Sequence, residues 1–441
     1  MDTGDTAWVL TSAALVLLMT PGLAFFYGGM VRAKSVLNMM MMSFGAIAVV
    51  ATLWVLYGYS VAFGNDVGFG LVGNPAEYAG LSSLISEDAA SGTTPATAFV
   101  AFQAMFAILT VALISGAVAD RVRFGPWLLF AGLWATLVYF PVAHWVFAFD
   151  EDGVVGGWIA NDLAALDFAG GTAVHINSGA AALALAIVIG KRRGWPRESN
   201  KPHNLPFVML GAGLLFFGWF GFNAGSALAA DSTAAVAFIN TLAATATAML
   251  GWLLVERIRD GKPTTLGGAS GVVAGLVGIT PAANAVTPMG ALLLGLIAGA
   301  ICSLAVSIKY KAGYDDSLDV VAIHLIGGLT GTLLIGLIGS ALSPAGVDGL
   351  LYGGGVDQLW RQAIGAGAVL AYSFVVTTLI AGVIKVTVGF RPDPEDETRG
   401  IDEAEHAESA YEFSSRDGAS SPLHRSGASM TGTTTKERAE L

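Results

Sequence analysis

The stretch DFAGGTAVHINSG, Asp167–Gly179, has a counterpart later in the chain, DSLDVVAIHLIGG, Asp316–Gly328. In each stretch the first aspartate precedes a histidine, His175 or His324, by eight residues. Glycine and a further apolar run follow each histidine closely. Each stretch therefore places a carboxylate and an imidazole at the start of a segment that belongs in lipid.

The composition of the whole chain explains these apolar runs. Of its 441 residues, 54% are hydrophobic and only 12% are charged, whereas soluble domains carry about 25% charged residues. This balance indicates an integral membrane protein. The 57 glycines favour a closely packed bundle, because small residues let transmembrane helices approach each other. The single cysteine, Cys302, excludes an intrachain disulfide and a cysteine-built metal site.

Eleven apolar segments are long enough to cross a membrane as helices, which takes about 20 residues each. They begin near Thr6, Met39, Pro95, Gly125, Gly171, Leu205, Thr233, Gly267, Met289, Asp319 and Gln362, and the last ends near Phe390. Lysine and arginine follow the odd-numbered segments. Because such residues accumulate on the cytoplasmic side, we expect the N-terminus outside the cell and the C-terminus in the cytoplasm. The acidic start of the chain does not resemble a cleaved signal peptide, so the first segment is expected to remain.

The two histidine stretches open the fifth and the tenth segments, which are five segments apart. An odd separation means that the second copy runs the opposite way, and such inverted repeats place a substrate site near the membrane midplane. Eight helical residues rise about 12 Å, and half the hydrocarbon core is about 15 Å. We therefore expect His175 and His324 to meet near the middle of the membrane.

Two interpretations of these histidines are open at this point. A buried polar residue commonly hydrogen-bonds between helices, but ionisable residues inside a membrane are candidates for a transport pathway. Matching positions in an inverted repeat favour the pathway for His175 and His324. Asp167 and Asp316 are expected to be structural instead, because an aspartate in the first turn of a helix caps free N–H groups.

Three further stretches combine aromatic and polar residues: FVAFQAMFAILTVALISGAVADRVRFG with Phe106, FFGWFGFNAGSALAA with Phe222 and Ser226, and YFPVAHWVFAFD with Phe147. Taken alone, such aromatics are typical of packing or of an interface belt. Together with ALDFAGGTAVHINSG and DDSLDVVAIH, however, they resemble stretches of the ammonium transporter (Amt/Rh/MEP) family, on its Amt branch. The resemblance extends from TPGLAFFYGGMVR to GIDEAEHAESAYEF and covers nearly all the apolar segments in order.

The resemblance implies an all-α integral membrane protein of eleven transmembrane helices, with two inverted five-helix repeats and a C-terminal helix. It implies a homotrimer in the lipid bilayer of the cell membrane, with one pore per subunit, that transports ammonium or methylammonium. It implies no enzymatic activity, no cofactor, no metal and no nucleic-acid partner. The alternative that we keep is an ammonium sensor that signals through cytoplasmic partners. An intramembrane zinc enzyme is disfavoured, because neither histidine has a second histidine within a turn.

By this resemblance, His175 and His324 match the paired histidines of the pore, and Phe106 and Phe222 match the stacked phenylalanines at its outer entrance. A bare cation is costly in an apolar constriction, so deprotonation at or before these phenylalanines is expected. Histidines titrate near neutral pH and could pass a proton between them. Whether ammonia or ammonium is conducted stays open.

The outer recruitment site is the part where the chain departs from the family. By resemblance, Ser226 and Phe106 belong to it, and Asp167 lies beneath it without touching the ion. Phe147 occupies a position where the family often has tryptophan, which binds cations better than phenylalanine does. Trp158, in the acidic loop that follows, is a second candidate for covering the site.

The chain divides into a membrane domain, residues 1–390, and a cytoplasmic regulatory tail, residues 391–441. The distal tail, SSRDGASSPLHRSGASMTGTTTKERAEL, is poor in apolar residues and is expected to be disordered. GIDEAEHAESAYEF resembles the family's C-terminal segment, which packs on cytoplasmic loops. The resemblance therefore implies a PII-type signalling protein as a partner at the cytoplasmic face.

Overall fold

A computed structural model describes residues 1–151, 153–197 and 201–411 of the chain. Within these residues, eleven helices are long and apolar enough to cross a membrane. They are α1 (Thr3–Met30), α2 (Val36–Phe63), α3 (Ala96–Val118), α4 (Phe124–Phe147), α5 (Gly171–Ile189), α6 (Leu205–Gly225), α7 (Ser232–Arg259), α8 (Thr265–Ala282), α9 (Pro288–Ala312), α10 (Val321–Ile338) and α11 (Asp357–Thr387). The eleven predicted spans are thereby confirmed. The largest difference is at α11, which begins at Asp357 rather than near Gln362, because Asp357, Gln358 and Arg361 interrupt the apolar pattern at its start.

Short elements complete the fold. Two helices follow α11, namely α12 (Pro394–Arg399) and α13 (Ile401–His406), and both belong to the same compact unit as the spanning helices, Met1–Ala410. Strands β1 (Ala90–Ser91) and β2 (Thr94–Pro95) form an antiparallel hairpin before α3. Short 3₁₀ segments lie at Ala79–Leu84 and Leu350–Tyr352. The expected disorder of the distal tail concerns residues that lie outside the described part of the chain.

Polar residues at the N-caps explain where several spanning helices begin. A cap side chain accepts a hydrogen bond from a backbone N–H of the first turn, which has no partner inside the helix. This happens at the start of α1, α6, α7, α8 and α9, with Asp2, Asn204, Asp231, Thr264 and Thr287 as the caps. The interiors of these helices are then free to be almost wholly apolar.

Glycine allows pairs of spanning helices to pack backbone against backbone. A Cβ on Gly211 of α6 would lie 2.3 Å from the Phe26 amide nitrogen of α1. A Cβ on Gly299 of α9 would lie 2.0 Å from the Ala248 carbonyl oxygen of α7. No side chain fits at either place, so the many glycines are used for close helix contacts, as in other membrane bundles.

The helix ends define two faces of the bundle, which we name after one residue each. The Asp167 side carries the ends of α2 and α4 and the starts of α3 and α5. The Arg121 side carries the starts of α2 and α4 and the ends of α1, α3 and α5. This alternation follows from eleven consecutive crossings.

Candidate functional site

His175 and His324 lie against each other inside the bundle. Their Nδ1 atoms are 3.2 Å apart and their ring centroids 5.3 Å apart, and the two rings are 0% and 3% exposed. A contact between two Nδ1 atoms requires one to donate a proton and the other to accept it. His175 Nε2 is buried without a partner among the described residues. The pair therefore shares one proton between its rings and leaves hydrogen-bonding capacity for a guest.

The backbone at both histidines departs from the α-helix in the same way. His175 lies in a wide π-helical turn, Gly171–Ile176, and His324 lies in another, Val321–Leu325. Such turns are rare and occur frequently at functional sites. The repeat detected in the sequence therefore extends to the local backbone, which the spacing of the residues did not reveal.

Two glycines bring the histidine-bearing helices together. Gly179 follows His175 by four residues, and a Cβ on it would lie 2.4 Å from the Leu325 amide nitrogen. Gly328 follows His324 by four residues, and a Cβ on it would lie 2.9 Å from the Gly171 carbonyl oxygen. Residues one helical turn apart share a face, so each glycine lies on the face that carries its histidine. The spacing of histidine and glycine is visible in the sequence, in HINSG and HLIGG, but the helix contact that it allows is seen only in the structure.

The two aspartates of the repeat cap their helices, as their positions lead one to expect. Asp167 accepts four backbone N–H groups, with Oδ1 bonded to Gly170 and Gly171 and Oδ2 to Thr172 and Ala173, at 2.6–3.1 Å. With four donors in place, this carboxylate has little capacity left for a passing ion. Its geometry is that of a brace beneath the helix start.

Asp316 is the counterpart of Asp167, with fewer bonds. Its Oδ2 accepts the Val321 amide at 2.7 Å, and its Oδ1 has no partner among the described residues. Burial raises the pKa of Asp316, although the nearby Lys309 ammonium opposes that rise. Lys309 Nζ donates to Asp319 Oδ1 at 2.6 Å and to the Asp316 carbonyl at 2.8 Å. A local ion pair thus supports the start of α10.

A column of aromatic rings leads to the histidines from the Asp167 side. Phe106 and Phe222 stack with centroids 4.2 Å apart, and they are 1% and 0% exposed. Phe222 in turn faces His175 at 6.1 Å. Trp219, which the sequence did not assign a role, stacks on His175 at 5.5 Å and donates from Nε1 to Thr280 Oγ1. Phe106, Phe222 and His175 thus form a buried series of neighbouring rings.

A cavity of about 420 Å³ opens on the Asp167 side of this column. Phe106, Phe147, Ser226 and Asp167 are among the residues that line it. The Ser226 hydroxyl donates to the Phe222 carbonyl at 2.8 Å, so its oxygen lone pairs remain available to accept. Phe147 lies edge-on to Phe106 with centroids 6.5 Å apart. At the inner part of the cavity, the Ser226 oxygen thus lies in the same lining as the rings of Phe106 and Phe147.

The tryptophans near Phe147 do not replace it at the cavity. Trp145 packs against Tyr372 at 4.7 Å and against Trp158 at 6.0 Å, and its Nε1 donates to the Leu71 carbonyl. Neither tryptophan is among the cavity-lining residues, whereas Phe147 is. The aromatic face opposite Phe106 is therefore that of Phe147.

On the Arg121 side, buried charged side chains connect three loops. Arg192 binds Asp315 in a bidentate pair, from Nε at 3.0 Å and from Nη2 at 2.8 Å. Arg121 is fully buried and donates to the Asp315 carbonyl and to Ser317 Oγ. Burial lowers the pKa of Arg121 to about 10, although the Asp315 carboxylate opposes this. In the sequence these arginines served only to mark the orientation, and the structural role of Asp315 was missed.

Acidic side chains of the segment after α11 accept hydrogen bonds from the first turns of two spanning helices on the Arg121 side. Asp402 accepts the Leu37 and Asn38 amides at the beginning of α2, at 3.0 and 2.8 Å. Glu405 accepts the Phe124 amide at the beginning of α4, at 2.9 Å. Carboxylates are favourable at these positions because a helix N-terminus is partially positive. Acidic residues of the tail therefore cap two spanning helices.

Comparison with known proteins finds one family and close relatives over nearly the whole chain. A family model described as the Ammonium Transporter Family matches residues 7–411. An ammonium transporter of Mycobacterium tuberculosis is 63% identical over 443 residues, which cover 96% of this chain and 93% of the relative.

Solved structures are similar over the same length. The crystal structure of Saccharomyces cerevisiae Mep2 is 35% identical with a TM-score of 0.80, and the match covers 89% of this chain and 90% of that one. A structure described as Sensor Amt Protein is 29% identical with a TM-score of 0.82, covering 91% and 98%. The family match over residues 7–411 includes every helix of the site.

Proposed function

The chain belongs to the ammonium transporter family, and from that premise we propose that ammonium nitrogen passes through it along the cavity, the phenylalanine pair and the histidine pair. The family is one of transporters rather than of enzymes. The observation that carries the proposal is the continuous series Phe106, Phe222, His175 and His324, whose ring centroids succeed each other at 4.2, 6.1 and 5.3 Å. It begins at an open cavity and leads to the buried imidazoles.

We assign ammonium recruitment to Phe106, Phe147 and Ser226. The Ser226 oxygen can accept one N–H of the ion, and aromatic faces attract cations. One hydroxyl oxygen and two aromatic faces bind an ion modestly, and modest binding suits transport because a tightly held ion leaves slowly. Asp167 acts through the helix that it braces, since its oxygens are occupied by backbone donors.

We assign the loss of one proton from ammonium to the Phe106–Phe222 pair, and this proton passes either back to the solvent of the open cavity or to the imidazole of His175. Two stacked and buried rings offer no replacement for the hydration shell of a cation, and neutral ammonia is far less costly to bury. His175 Nε2 can then hydrogen-bond ammonia, while the shared Nδ1 proton gives the two imidazoles a route for proton transfer. When the proton is transferred along the two imidazoles, one positive charge crosses the membrane with each ammonia molecule.

The assembly and orientation are part of the same proposal. The protein acts as a homotrimer in the cell membrane, with the Asp167 side outside and the Arg121 side in the cytoplasm. This orientation rests on the concentration of lysine and arginine on the Arg121 side. Residues 391–441 then form a cytoplasmic regulatory tail, and a PII-type protein binds on that face.

The experiment measures methylammonium uptake and current together in proteoliposomes that contain wild type, His175→Ala or His324→Ala. We expect each variant to lose uptake or to change the charge carried per nitrogen. His203→Ala is the control, because His203 bonds the Val31 carbonyl at a distance from the histidine pair. Wild-type uptake and current in both pathway variants would refute the pore assignment. Binding of ammonium without any uptake by the wild type would instead support the sensor.

A further inference from the structure

Four aromatic side chains at the mouth of the cavity form a group that the transport pathway described above does not use. We call Tyr59, Phe63, Tyr78 and Phe99 the outer aromatic cluster. Tyr59 and Phe63 stack at 5.3 Å, Phe63 meets Phe99 edge-on at 5.0 Å, and Tyr59 contacts Tyr78 at 5.7 Å. All four line the same cavity as the recruitment residues.

The outer aromatic cluster is separate from the recruitment residues. Phe99 and Phe106 lie seven residues apart on one face of α3, which corresponds to a rise of about 10 Å. Among the described residues, no ring of the cluster contacts the ring of Phe106 or of Phe147. A cation bound among the rings of the cluster would therefore lie further from the Phe106–Phe222 pair than a cation bound at the recruitment residues.

Glu151 supplies a carboxylate to this part of the cavity. It is an exposed residue that lines the cavity, and no described residue donates a hydrogen bond to its side chain. Asp167 differs, because four backbone donors occupy its oxygens. Burial raises the pKa of Tyr78 to about 12, and Glu77 and Glu151 add to the rise. The negative field of Glu151 thus reaches the cluster, and the Tyr78 phenol stays protonated.

We propose that the outer aromatic cluster and Glu151 form a second cation site, which binds alkylated ammonium ions, including quaternary ones, as well as ammonium. Aromatic faces with a nearby carboxylate are the chemistry that recognises quaternary ammonium groups. An ammonium ion is about the size of a water molecule, which takes about 30 Å³ in the liquid. The cavity of about 420 Å³ leaves room for much bulkier cations.

The position of this site determines its effect on transport. A small cation bound there supplies the recruitment residues from nearby, so the site raises the local concentration of substrate. A quaternary ammonium ion binds in the same place but cannot shed a proton or pass the stacked Phe106 and Phe222. Such ions therefore act as competitive blockers from the Asp167 side. The blocking effect rests on the proposed transport function, whereas the binding does not.

The test uses the full-length purified protein and tetramethylammonium as the probe. Binding is measured by calorimetry in detergent, and block of methylammonium uptake is measured in proteoliposomes at low ionic strength. We expect tetramethylammonium to bind the wild type and to raise the half-saturating methylammonium concentration. Glu151→Gln should weaken binding by about threefold, as Coulomb's law gives for one unit charge removed about 7 Å from a cation in water. Phe63→Leu should weaken it further by removing a ring.

Glu87→Gln is the matched control, because Glu87 is exposed and lies outside the cavity lining. It should bind tetramethylammonium as the wild type does. No tetramethylammonium binding to the wild type, or equal binding by wild type and Glu151→Gln, would overturn the second site. A wild type that binds the probe but takes up no methylammonium would support the site while overturning the proposed transport.

Discussion

Replacing Gly179 by alanine tests whether close backbone packing sets the geometry of the histidine pair. The added Cβ would lie 2.4 Å from the Leu325 amide nitrogen and 2.6 Å from the Leu325 Cβ. Ordinary carbon contacts begin at about 3.5 Å, so α10 must retreat from α5 by about 1 Å. Leu325 adjoins His324, and the same displacement carries His324 away from His175.

The magnitude follows from the contact that is lost. The Nδ1–Nδ1 distance of 3.2 Å is already at the upper limit of a good hydrogen bond, and a further 1 Å would break it. A hydrogen bond contributes about 0.5–1.5 kcal/mol, which corresponds to an uptake that is slower by about two- to thirteenfold if the bond is lost in the rate-limiting step. Overpacking itself should lower the free energy of unfolding by about 1–3 kcal/mol.

The assay compares methylammonium uptake and thermal unfolding of Gly179→Ala with those of Gly213→Ala. Gly213 lies on the exposed face of α6, and a Cβ there meets nothing within 4 Å. We therefore expect the control to keep its uptake and its melting temperature. Uptake and stability of Gly179→Ala equal to those of the control would refute the packing argument, because they would mean that α5 and α10 tolerate separation.

Three further predictions concern side chains that hold the helix ends. Asp167→Ala should lower the melting temperature in detergent more than Asp167→Asn does, because alanine leaves four N–H groups without an acceptor and the amide still offers one oxygen; equal shifts would contradict this. Asp315→Asn should destabilise the protein by about 3–5 kcal/mol, since Arg121 then lies buried without its carboxylate. Burial acts to raise the pKa of Asp315, but Arg192 and Arg121 together have the larger, opposite effect, so the pKa is lowered overall. The stabilisation from Asp315 is therefore present above about pH 4 and is lost as the pH falls through the lowered pKa. Melting curves across acid pH will check this. Asp402→Ala should release the segment from the start of α2 and speed tryptic cleavage after Arg399, as mass spectrometry of a digestion series will show; an unchanged cleavage rate would mean that other contacts hold the segment.

Much of the architecture follows from local properties of the chain. Hydropathy along the sequence predicts all eleven spans, since the cost of burying polar groups in lipid applies to each segment on its own. The inverted repeat predicts that His175 and His324 approach each other, because an odd number of crossings and equal depths leave little choice of geometry. The caps at Asp167 and Asp316 follow in the same way from their positions at helix starts.

Other features depend on contacts between distant segments. The tertiary structure selected Phe147 over Trp158 for the cavity, because the tryptophan packs against Trp145 instead. It buried Arg121, which the sequence marks only as a positive charge, against Asp315 nearly two hundred residues away. Spacing and hydropathy describe one segment at a time, whereas a contact is determined by two segments together. Local sequence thus accounts for the eleven crossings and for the approach of the histidines, whereas packing between distant segments sets which side chains line the cavity and surround the two imidazoles.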